Sequence, residues 1–139
     1  MYACRLPHNP GNFCSADVYD DENTSAVATF PELEPKTELE KSRMINSLHL
    51  SKFSDLDEDG KEILFPMLTE LGVDTIVIIG AWTDDCVLAT VVEGVDRYGF
   101  DIVVVEDAVG TQTLGQGITL EVIRTCFGLV PTTEELLTY

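Results

Sequence analysis

The residues best placed to do chemistry lie in GAWTDDCVLAT, Gly80 to Thr90, where Cys86 follows a strand-like run and a turn. That position corresponds to the first turn of the next helix. A helix start carries partial positive charge and unpaired N–H groups, which stabilise a thiolate and lower a thiol's pKa. Asp84 and Asp85 oppose this effect unless they face away as caps. A nucleophilic thiolate also needs a nearby cation or base, and donors for a developing oxyanion. Backbone N–H groups of the turn, with that of Cys86, are candidate donors. Lys41, in TELEKSRMINS, is a candidate cation if its segment lies beside the cysteine's strand. The competing reading is plain: Cys86 as an inert core thiol and Lys41 as a solvated surface charge. From position alone both stay open.

Other patterns carry less. DLDEDGKEILFP begins like a calcium-binding loop, but its twelfth position is Pro66 where a bidentate Glu is required. A capped, solvated helix start is the expectation there. GTQTLGQG has neither a phosphate-loop ending nor dinucleotide glycine spacing, and reads as a flexible loop, which its place after DIVVVED could put on the rim of a site. His8 and His49 stand in no metal-ligand spacing, so no metal is expected. No G-x-S-x-G elbow is present, which argues against a serine hydrolase.

The elements that must position Cys86 follow from apolar patterning. TIVIIG and DIVVVED are continuous apolar runs, as expected for parallel strands buried on both faces. CVLATVVEGVDRYG reads as a helix closed by Gly99, GITLEVIRTCFG as another, LVPT as a short strand and TEELLTY as a terminal helix. Upstream, Ser54 and Asp57 suggest a capping box opening a helix that Gly72 stops, with Pro66 kinking it. Residues 8–37 are expected to form a long loop between short strands at Tyr2–Leu6 and Glu38–Lys41. Strands alternating with helices indicate an α/β fold with a mostly parallel sheet.

The 139 residues fit one domain, 1–139. A net charge of −17, from 25 acidic and 8 basic side chains, argues against nucleic acid and anionic membranes as partners. No apolar run is long enough to span a bilayer and no signal pattern opens the chain, so a cytoplasmic address is expected. Cys4, Cys14, Cys86 and Cys126 form no C-x-x-C pair and are expected as reduced thiols.

GAWTDDCVLAT followed by RYGFDIVVVEDAVGT, with GLVPTTEELL near the C-terminus, resembles the isochorismatase-like cysteine hydrolases. The resemblance implies a three-layer αβα, Rossmann-like fold. It places the nucleophile on Cys86 and the catalytic lysine on Lys41. It also implies a cis peptide between Ala81 and Trp82, and an oxyanion hole from the amides of Trp82 and Cys86. Family members open with a strand ending in a catalytic Asp. By this resemblance the chain is expected to be either an incomplete chain or a shortened member lacking that strand, for which Asp17, Asp20 and Asp21 are poor substitutes. The metal-binding Asp-x-His of nicotinamidases is also absent. The implied activity is hydrolysis of a small amide, ureido or isochorismate-like compound, through an acyl-enzyme in the amide case and without a cofactor. The alternative is a catalytically inactive paralog that binds a small molecule or a subunit. Expected partners are a small-molecule substrate and further copies of the chain in a homo-oligomer.

Overall fold

Two apolar runs set the architecture. In the computed structural model, which describes residues 34–138 apart from 46 and 48, TIVIIGA forms strand β1 (Thr75–Ala81) and DIVVVEDAVG forms β2 (Asp101–Gly110). They pair in parallel, and β3 (Gly128–Leu129) joins the far side of β2, giving the order β1-β2-β3. The connections are helical: α3 (Leu88–Asp96) between β1 and β2, and α4 (Gln116–Cys126) between β2 and β3. The fold is therefore α/β, as the alternation implies. No helix among the described residues is long and apolar enough to cross a membrane.

The chain divides between His49 and Leu50 into two units. In the first, α1 (Glu38–Ser42) replaces the strand expected at Glu38–Lys41. The reason is a capping box: the Thr37 hydroxyl accepts from the Glu40 N–H at 3.2 Å, and the Glu40 carboxylate accepts from the Thr37 N–H at 2.8 Å. Residues 34–37 have neither helix nor strand. The rest of the expected loop, the strand at Tyr2–Leu6, Cys4, His8, Cys14 and Asp17, Asp20 and Asp21 lie outside the described residues.

The second unit carries the sheet. Its core gathers Phe53, Val87, Val91, Phe100, Ile102, Val104, Val109, Leu120 and Ile123. Phe53 anchors it, stacking on Tyr98 at 4.7 Å and Phe100 at 5.7 Å between ring centroids. Along β2, Ile102 through Val105 are all buried, as expected. In β1 only Ile76 and Ile78 pack against the core, while Val77 and Ile79 are exposed. The expected burial of both faces is thus corrected for β1. Adjacent residues of a strand face opposite sides, so the two pairs divide between the faces.

The expected helix from Ser54 is also corrected. Ser51 instead caps a short 3₁₀ turn, Lys52–Ser54, and Ser54 donates to the Glu93 carboxylate at 2.9 Å. The Asp57 carboxylate accepts from the N–H groups of Asp59 and Lys61 at 2.9 and 2.8 Å, turning the chain so that Leu56 pairs with Glu62. Aspartate favours such turns because its side chain imitates a backbone acceptor. Helix α2 (Leu64–Glu70) begins only afterwards. Pro66 is its third residue, where no intrahelical hydrogen bond is lost, so it need not break the helix. Gly72, with φ of +66°, ends α2 as the sequence suggests. The N–H of Val73 reaches Leu68 at 3.1 Å and that of Gly72 reaches Thr69 at 3.0 Å, satisfying the last carbonyls.

Candidate active site

Parallel strands bring their carboxyl ends to one edge of the sheet, where sites of such folds lie. The pairing shifts register between Ile78 and Gly80, then closes with Gly80 opposite Val109 and Ala81 opposite Gly110. Gly80 takes a φ of +117° at this irregularity, a conformation glycine adopts readily. The turn after β1 and the loop after β2 consequently leave side by side.

The Ala81–Trp82 peptide bond is cis. The chain then enters a wide helical turn, Thr83–Val87, before α3. The Trp82 carbonyl accepts from the N–H of Asp85 at 3.2 Å and of Val87 at 3.1 Å. The second bond spans five residues, the hallmark of a π-turn, and such turns concentrate at functional sites. Cys86 sits in this turn as a buried thiol. Its carbonyl accepts the Thr90 hydroxyl at 2.7 Å, and the same hydroxyl accepts from the Lys52 N–H at 3.1 Å. Thr90 thereby fixes the cysteine's backbone to the preceding 3₁₀ turn. Thr83 is fully enclosed, and its hydroxyl has no hydrogen-bond partner among the described residues.

Asp84 directs its carboxylate to the loop after β2. Its carboxylate accepts the hydroxyls of Thr111 and Thr113, one on each oxygen. Those bonds, Thr111 first, hold its pKa below the usual carboxylate range. The loop in GTQTLGQG is therefore joined directly to the turn bearing Cys86. Neither Asp84 nor Thr90 was singled out as a partner from the sequence; their contacts span distant segments.

Asp107, in DIVVVEDAVGT, has a structural task. It accepts from both the N–H and the hydroxyl of Thr133 at 2.8 Å, anchoring α5 (Thr133–Leu137) to β2. Lys41 lies in α1, with its ammonium 2.7 Å from the Glu38 carboxylate and both side chains exposed. Lys41 belongs to the first unit and Cys86 to the second. His49 is exposed in the first unit, and its carbonyl accepts from Ser47 at 3.0 Å. No group of three or more His, Cys, Asp or Glu residues suited to a metal occurs among the described residues.

Residues 8–135 match the isochorismatase domain, and the chain belongs to that family. An isochorismatase-like hydrolase from Alkaliphilus metalliredigens shares the fold, with a TM-score of 0.64 and 22% identity over 84% of this chain and 59% of its own. A cysteine hydrolase from Pseudomonas syringae pv. phaseolicola has a TM-score of 0.64 and 23% identity, over 88% of this chain and 61% of its own. A pyrazinamidase/nicotinamidase from Streptococcus mutans has 32% identity and a TM-score of 0.50, over 60% of this chain and 42% of its own. The chain thus spans at most 61% of the length of these three structures. No curated protein matches the sequence.

Proposed function

We propose that this chain carries the nucleophile of a cysteine hydrolase acting on a small amide, ureido or isochorismate-like compound. The observation that carries the reading is the placement of Cys86 in the wide helical turn directly after β1, at the carboxyl edge of the parallel sheet. Helix-start N–H groups favour the thiolate over the thiol there. In the amide reaction the thiolate attacks the substrate carbonyl and the carbonyl oxygen takes up negative charge. The oxyanion then collapses, the C–N bond breaks, and the amine leaves with a proton taken from solvent water. Water then releases the acid from the thioester. The backbone amides of Trp82 and Cys86 are assigned to the oxyanion, and Lys41 to stabilising the thiolate. Family membership and the fold shared with a cysteine hydrolase support this assignment. The substrate is a small molecule, and a cytoplasmic homo-oligomer is part of the same proposal.

The test is turnover of a panel of small amides and ureido acids, nicotinamide included, by the wild type and by Cys86→Ser. The proposal expects turnover that the serine variant lacks while retaining the wild-type circular dichroism. Turnover retained in Cys86→Ser would overturn the nucleophile assignment. Binding of panel members without any turnover would favour the inactive, ligand-binding reading.

A further inference from the structure

The loop between β2 and α4 is held in an unusual way. None of the side chains of residues 111–115 is buried, and Leu114 at its tip is fully exposed. Burial of apolar surface therefore does not fix it. Its polar contacts converge instead on one carboxylate. Thr111 and Thr113 both donate to Asp84, while their oxygens accept from the N–H groups of Thr113 and Gly115 at 3.3 and 2.9 Å. Each hydroxyl thus closes a local turn and bonds across to the Cys86 segment. The approach is close: a Cβ on Gly115 would lie 2.6 Å from an Asp84 carboxylate oxygen and 3.0 Å from the Thr113 hydroxyl. Only glycine fits this geometry unchanged.

We propose that Asp84 is a positioning residue, fastening the 111–115 loop over the edge beside Cys86 so that the loop limits the size of molecule reaching the thiol. The inference rests on the reading of Cys86 as a nucleophile that meets small molecules. Asp84 touches no reacting atom in this account. It acts through Thr111 and Thr113, whose hydroxyls donate to its carboxylate.

The experiment uses the full chain and two probes, iodoacetamide and a bulky N-aryl maleimide, with alkylation of Cys86 followed by peptide mass spectrometry. Asp84→Ala is expected to raise the maleimide-to-iodoacetamide rate ratio by about tenfold, since two charge-assisted hydrogen bonds are lost. Amide hydrogen exchange should accelerate across 111–117 by at least about tenfold and stay unchanged across 102–105. Asp84→Asn keeps one acceptor oxygen for one hydroxyl, while its NH2 can only donate to the other, and should give a ratio between those of wild type and Asp84→Ala. If Asp84→Ala fails to fold, Thr111→Val with Thr113→Val removes both bonds from the loop side and should give the same two changes. An unchanged ratio and unchanged loop exchange in a folded variant overturn the proposal. If wild-type Cys86 resists both probes, the nucleophile reading fails, and hydrogen exchange alone still decides whether Asp84 holds the loop.

Discussion

Replacing Gly128 by alanine probes how tightly β3 is set against the central strand. Gly128 pairs with Ile102, and an added Cβ would overlap the Ile102 carbonyl oxygen while lying 3.0 Å from its carbonyl carbon and 3.2 Å from its Cβ. Two of these atoms are backbone of a strand buried from Ile102 to Val105, so they cannot yield as a side chain would. Strand β3 must move instead. Overpacking of this kind costs about 1–3 kcal/mol, and a weakened strand hydrogen bond adds about 0.5–1.5 kcal/mol. The expected loss is about 2–4 kcal/mol. Gly117→Ala supplies the control: it lies in α4, and its Cβ would meet nothing within 4 Å. Alanine there should stabilise by up to about 1 kcal/mol through helix propensity. Urea unfolding followed by circular dichroism measures both, read from midpoints at constant slope. Equal midpoints for the two variants, or a loss below about 0.5 kcal/mol for Gly128→Ala, would refute the packing argument.

Two further outcomes concern the core and acid stability. Phe53→Ala should cost about 3–5 kcal/mol in the same unfolding assay, because Phe53 is almost wholly buried and stacks on Tyr98 and Phe100; a cost below about 1 kcal/mol would contradict its anchoring role. Hydrogen bonds from the Thr133 side chain and backbone depress the pKa of Asp107. A depressed carboxylate contributes stability above its unfolded pKa of about 4, and loses it as pH falls through the lower folded value. Unfolding midpoints measured downward from about pH 5 should therefore fall less steeply in Asp107→Asn than in wild type. Identical slopes would remove Asp107 from the acid response.

The sequence disclosed most where one chemical signal acted alone. The continuous apolar run DIVVVED could only satisfy its side chains by burial, and β2 is buried from Ile102 to Val105. Gly72 marked the end of α2 because its positive φ suits glycine. Competing local signals misled: the Asp57 turn took the residues assigned to a helix start, and the Thr37–Glu40 box made a helix where a strand was expected. The exposure of Val77 and Ile79 was hidden too, because an apolar run does not say how many faces are covered. At the candidate site, the position of Cys86 after β1 was legible from pattern. The Asp84–Thr111–Thr113 contacts were not, since they depend on β1 and β2 ending side by side.

The proposed function requires Cys86 to be a reactive thiol rather than buried filling. Its alkylation by iodoacetamide across a pH series, resolved from exposed Cys126 by peptide mass spectrometry, tests this directly. A reactive Cys86 should titrate with a midpoint at least about one unit below the ordinary thiol value of about 8.5. A midpoint at or above that value, with a rate no greater than in the urea-unfolded chain, would contradict it.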